Sequence, residues 1–82
     1  MTGWVRFRLP EGLRRAARWR VRVGGAQGRP GELIAAEPGV RRVVLEAALA
    51  LPPAQAAARL EVEVSVISGR VTDIRLPLPV RQ

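Results

Sequence analysis

The chain contains no cysteine and no histidine. Disulfide cross-links and zinc sites of the usual kinds are thereby excluded, and so is catalysis built on imidazole as base or nucleophile. Lysine, tyrosine and asparagine are missing as well, and Asp73 is the single aspartate. Aromatic residues are restricted to Trp4, Phe7 and Trp19, a thin supply for a surface that stacks nucleic-acid bases. The opening residues, MTGWVRFRLPEG, hold no apolar run, and nowhere does one reach the length of a membrane span. The expectation is a protein with no signal peptide and no membrane span. It is then cytoplasmic, or extracytoplasmic if it is a module excised from a longer precursor.

What remains is short, basic and rich in small apolar residues. At 82 residues we expect a single β-rich domain over 1–82. A chain of this size buries only about 60% of its unfolded surface. The 48% hydrophobic content suffices for one core. All 14 basic residues are arginine, and the net charge is +7. Guanidinium makes bidentate contacts with phosphate and carboxylate, so the bias could mark an anion-binding surface. Base composition is the simpler account, because GC-rich coding favours Arg, Ala, Gly, Pro and Val together.

The strongest pattern lies in the last quarter. In 60–66, LEVEVSV, apolar Leu60, Val62, Val64 and Val66 alternate with Glu61, Glu63 and Ser65. In 72–80, Thr72, Ile74, Leu76, Leu78 and Val80 alternate with Asp73, Arg75, Pro77 and Pro79. Period-2 alternation of β-branched residues marks strands with one buried face. With Ser68-Gly69 between the runs, we expect a β-hairpin. Opposed residues in an antiparallel pair share a face, so Val66 should oppose Thr72, Val64 oppose Ile74 and Val62 oppose Leu76. A two-residue turn would oppose Val64 to Asp73 and bury a carboxylate, so the loop should hold three or five residues or a bulge near Ile67. Pro77 and Pro79 would confine the last strand to an edge.

Earlier in the chain, residues 4–9 and 18–23 alternate in the same manner. Val5, Phe7 and Leu9 lie on one side of the first run, and Trp19, Val21 and Val23 on one side of the second. Trp19 is thus expected in the core. Residues 13–17 read as a helical turn or an irregular loop, and 24–31 as a turn-rich loop. Residues 33–36 read as a short strand, with a turn at Glu37-Pro38-Gly39. The segment 40–51, VRRVVLEAALAL, fits two periods. As a strand it places Val43, Leu45, Ala47, Leu49 and Leu51 on one face; as a helix it leaves Leu45 and Leu49 facing solvent. The strand is preferred, although the alanines favour helix. Pro52-Pro53 ends either element, and 54–58 reads as a short helical turn.

The fold expected is all-β: a small antiparallel β-sandwich of six or seven short strands. The alternative is an α+β domain with a helix over 40–51 on a four-stranded antiparallel sheet. The candidate binding residues are Trp4, Arg6, Arg8, Arg18, Arg20 and Arg22, all on the polar sides of their runs. Were the two strands neighbours, the five arginines would form a ladder of like charges, destabilising at each opposed pair. An anionic partner could offset this, as on basic single-strand-binding sheets. So could Glu61, Glu63, Asp73 and Glu46 from the second half of the chain, and this internal pairing is preferred.

The Gly24-Gly25…Gly28-Arg29 stretch is not followed by the lysine and helix of a phosphate-cradling loop. The alternating Glu61 and Glu63 share a solvated strand face and do not converge in a cleft as hydrolytic carboxylates must. No catalytic residues, metal or cofactor are expected.

LPEG at 9–12, the run WRVRVGG at 19–25, the Pro38-Gly39 turn before VRRVVLEA, and the ending LEVEVSV…GRVTDIRLPL together resemble PEGA-type and carboxypeptidase-regulatory-like modules. Leu13 stands where that pattern has Ala, and the alanine run 54–58 replaces an expected aromatic. The resemblance implies a prealbumin-like β-sandwich without catalytic residues, used for binding or packing. The functional expectation is a non-catalytic protein-interaction or structural module, with a protein partner or self-association. The alternative is a small basic nucleic-acid-binding protein using strands 4–9 and 18–23.

Overall fold

A computed structural model describes residues 1–12, 18–50 and 55–75. Seven strands form: β1 (Gly3–Arg8), β2 (Arg18–Val23), β3 (Ala26–Gly28), β4 (Ile34–Ala36), β5 (Gly39–Ala50), β6 (Gln55–Val66) and β7 (Val71–Arg75). They build two sheets, one of three strands in the order β4-β1-β7 and one of four in the order β3-β2-β5-β6. Alternation gives each sheet one apolar face, and the two faces seal against each other. The three-stranded sheet supplies Val5, Phe7, Ile34 and Ala36. The four-stranded sheet supplies Val21, Val23, Val43, Leu45 and Val66. Leu9, Trp19, Val62, Val64 and Ile74 pack against this cluster while partly buried. Among the described residues no polar or charged residue is buried. The small β-sandwich is therefore the fold, with Trp19 on its core side.

The ambiguous segment 40–51 resolves as strand. β5 runs for 12 residues and buries Val43, Leu45 and Ala47 in alternation. The helical alternative fails because both of its neighbours are strands that demand a ladder partner. β5 pairs with β2 over Val23↔Val43 to Arg18↔Ala48, and with β6 over Gly39↔Val66 to Ala50↔Gln55. A central strand satisfies its N–H and C=O groups on both sides. The intrinsic alanine preference for helix, a few tenths of a kcal/mol per residue, does not outweigh that. For the same reason the helical turn expected over 54–58 is not formed: the ladder continues through Gln55 to Ala58. Pro52, Pro53, residues 13–17, Leu76, Pro77 and Pro79 lie outside the described residues.

The expected hairpin between 60–66 and 72–80 is not formed. β6 pairs with β5, whereas β7 pairs with β1, and that pairing is parallel, from Trp4↔Val71 to Arg8↔Arg75. The sandwich is thus not purely antiparallel. Residues 67–70 form a turn closed by Arg70 N donating to Ile67 O at 3.1 Å, with Gly69 at a φ of 75°. Positive φ at the third turn position is type II geometry, and type II turns splay the flanking strands. The chain therefore arches from one sheet to the other. Strand parity by itself excludes a two-residue hairpin. The fold meets that constraint by crossing the core, without the extra loop residue or the bulge at Ile67. Thr72 and Ile74 still point inward, partly buried, and β7 is an edge strand.

Two smaller differences concern glycine. The loop expected over 24–31 contains β3, which turns back on β2 at Gly24-Gly25 and pairs Val23↔Ala26 to Val21↔Gly28. Gly24 has a φ of 58° while Gly25 has none that is positive, as a two-residue II′ hairpin requires. Gly3 is buried in β1 because the arch passes over it. A Cβ there would lie 2.6 Å from both Ile67 O and Val66 Cγ1.

Candidate interaction surface

The six candidate residues divide between the two outer faces. β1 carries Trp4, Arg6 and Arg8 on the three-stranded sheet, and β2 carries Arg18, Arg20 and Arg22 on the four-stranded sheet. Since β1 and β2 are in different sheets, the five-arginine ladder does not exist. Its premise was adjacency of consecutive strands, and the sandwich places them in opposite layers.

On the three-stranded face the parallel register brings Arg6 beside Asp73 and Arg8 beside Arg75. Arg6 donates from Nε to Asp73 Oδ1 at 2.6 Å and from Nη2 to Oδ2 at 3.0 Å. Arg8, facing a like charge in register, turns its Nε to the same Oδ1 at 3.2 Å. The hydrogen bonds from Arg6, followed by those from Arg8 and the charges of both, hold the Asp73 carboxyl far below the usual carboxylate range. The Asp73 hydrogen bond raises Arg6 in turn. Bidentate guanidinium–carboxylate pairing is the geometry arginine provides and lysine does not. Beside it lies an open hollow of about 310 Å³ lined by Arg6, Arg8, Leu9 and Gly31. Trp4 is half-buried between Ala35 and Val71 in register, in the opposite layer from every arginine of β2.

On the four-stranded face, β2 lies against β5 and β5 against β6, so the arginines of the first half meet the glutamates of the second. Arg20 is in register with Glu46, Glu46 with Arg59, and Arg42 with Glu63. Arg22 Nη2 lies 3.7 Å from Glu46 Oε2, and Arg59 Nη2 lies 2.7 Å from Glu61 Oε1. Internal neutralisation, the preferred expectation, is thus present on both faces. It is partial: Arg18, Arg20, Arg22, Arg42 and Arg59 on this face outnumber Glu46, Glu61 and Glu63. Exposed pairs of this kind contribute little each, and the ladder repulsion that called for an outside partner is absent because β1 and β2 lie in different sheets.

One feature of chemical consequence was missed by sequence reasoning, the outer edge of β6. It ends the four-stranded sheet with no neighbour on its far side among the described residues. At 12 residues it exceeds the ordinary strand length of about 5–6. It contains no proline or lysine, and of the features that blunt an edge it carries only the charges of Arg59, Glu61 and Glu63. The period-2 pattern of Leu60 to Val66 signalled a strand. Its continuation to Gln55 and its lack of a second partner depend on which strands meet across the fold, and no local signal carries that.

Among the described residues no helix is long and apolar enough to cross a membrane, and no three acidic side chains cluster as metal ligands would. Comparison with protein-family models, with curated proteins and with solved structures finds no match to this chain.

Proposed function

We propose that this protein is a non-catalytic interaction module that binds another protein segment along the free edge of β6. The observation that carries the reading is a 12-residue strand with no ladder partner on its outer side among the described residues. An extended segment adds to such an edge through main-chain hydrogen bonds, with alternate side chains giving specificity. Val62 and Val64 are half-buried on the core side of the strand, while Glu61 and Glu63 are exposed on the other, so an added strand meets an apolar row and an acidic row. The resemblance to PEGA-type modules, in which a small sandwich serves binding or packing, supports the same reading.

A second reading, nucleic-acid binding, is favoured by the arginine excess of the four-stranded face, where Arg18, Arg20 and Arg42 have no ion pair among the described residues. It is weakened by the separation of Trp4 from these arginines, since single-strand binding combines cations with stacking aromatics on one surface. Site-specific photo-crosslinkers decide between the two in the source cell. A crosslinker replacing Glu63, at the β6 edge, is expected to capture protein. One replacing Arg20 is expected to capture no nucleic acid. Nucleic acid at position 20, with nothing at position 63, overturns the proposal in favour of the second reading.

A further inference from the structure

The reading above leaves the occupant of the β6 edge open; resting on it, the charge pattern of the strand identifies one. We infer that β6 pairs antiparallel with β6 of a second copy of this chain, about a two-fold axis passing between the two Leu60 residues. In an antiparallel pair, opposed residues lie on the same face. A symmetric register must therefore centre on a residue, and its side of the sheet must match that of its copy. Centring on Leu60 opposes Arg59 to Glu61 of the second copy and Glu61 to Arg59, one opposite-charge pair on each side of the axis. It also opposes Ala58 to Val62, Ala56 to Val64 and Gln55 to Ser65, so that all residues from 55 to 65 of the strand Gln55–Val66 find partners.

The neighbouring registers are worse. Centring on Glu61 opposes that glutamate to itself, and centring on Arg59 opposes arginine to arginine; like charges directly opposite are destabilising. Centring on Glu63 opposes glutamate to glutamate and leaves 55–59 of the strand unpaired. Centring on Val62 opposes Glu61 to Glu63 twice.

Leu60 supplies a second, independent observation. It belongs to the core-side row with Val62 and Val64, yet it is 37% exposed, the one member of that row counted among the exposed large hydrophobics. Opposed to its own copy, Leu60 would be covered by Leu60. The product is an isologous dimer in which two four-stranded sheets become one of eight strands and both free β6 edges disappear.

The test uses the full chain. Sedimentation equilibrium and light scattering are expected to show a dimer. Arg59→Glu sets a new glutamate against Glu61 of the second copy, and Glu61→Arg sets a new arginine against Arg59. Each change turns two attractive pairs into two repulsive ones and is expected to weaken dimerisation about tenfold or more. An equal mixture of the two variants restores opposite charges across the axis and is expected to associate as tightly as the parent, which also shows that both variants fold. Nitroxide labels on Ser65→Cys, in a chain with no native cysteine, are expected about 34 Å apart in the dimer, ten strand residues along.

A monomer at millimolar concentration overturns the inference, as does a dimer whose labels give a different separation or whose variants fail to rescue each other. The edge reading is separable. A monomeric protein whose crosslinker at position 63 still captures another protein keeps the edge and loses the self-pairing; capture of nothing at position 63 by a monomer defeats both.

Discussion

Asp73 is the chain's sole aspartate, and it is in register with Arg6 and bonded to both Arg6 and Arg8. Its carboxyl is held far below the usual range by the hydrogen bonds of Arg6. The folded state therefore keeps Asp73 ionised where the unfolded chain, titrating at about 3.9, has already bound a proton. Stability from this group is present above that value and is lost as pH falls toward the depressed folded value. Asp73→Asn is expected to lower stability at neutral pH, by leaving Arg6 and Arg8 without their shared partner. It should also flatten the acid limb of the stability curve below about pH 4. Urea denaturation across a pH series measures both effects, and an unchanged acid limb would contradict the assignment.

Gly3 is the other residue whose identity is dictated by its surroundings. A Cβ 2.6 Å from a backbone oxygen and a valine methyl cannot be accommodated without moving the arch. Gly3→Ala is expected to cost about 1–3 kcal/mol, as overpacked cores do, and the denaturation midpoint should fall with an unchanged slope.

At the scale of elements, β6, the arch and β7 carry the chief difference between sequence expectation and structure. Among the described residues Val62, Val64, Val66, Thr72 and Ile74 face inward as the alternation implies, because a side chain faces the core whether its neighbour in sequence is a ladder partner or lies across the sandwich. Partnership was misassigned, because periodicity reports which side of a strand is apolar and not what lies beside it. The arch places Gly69 at a φ of 75°, a region costing other residues about 1–2 kcal/mol. Gly69→Ala is expected to destabilise by about that amount and to slow the pairing of β7 with β1. Loss of hydrogen-exchange protection at the amides of Val71 to Arg75 would register it, with β5 and β6 less affected. β5 makes the complementary point. Its alanines suggested helix, yet Val43 and Leu45 on one face, flanked by strands that need a central partner, made the extended form prevail.

Over the whole molecule, the N-terminal and the last described strands are neighbours, with Arg6 bonded to a residue 67 positions away. The pairings of β1 with β4 and of β2 with β5 likewise join distant parts of the chain. Closing such loops precedes the gain from pairing. Refolding is expected in roughly milliseconds to seconds, the range of all-β sandwiches and barrels. Stopped-flow fluorescence of Trp4 and Trp19 follows it, and microsecond folding would be inconsistent with the topology. The arrangement also brings the two halves of the charge pattern together: arginines from 6 to 22 lie against acids from 46 to 73. The chain is +7 overall, yet each outer face holds charges of both signs.

Local alternation was enough to sort nearly every described side chain into an inner and an outer set, and so to specify a two-layer β fold with Val5, Phe7, Val21, Val43 and Leu45 at its centre. That information is local because the pleat repeats every two residues. Strand order, the parallel contact of β1 with β7, the separation of the two arginine strands into opposite layers and the free edge of β6 arise only in the assembled molecule. A ladder joins backbones through N–H and C=O groups that every residue but proline carries alike, so the choice of partner is made by packing and by the turns between strands, not by the letters of either strand alone.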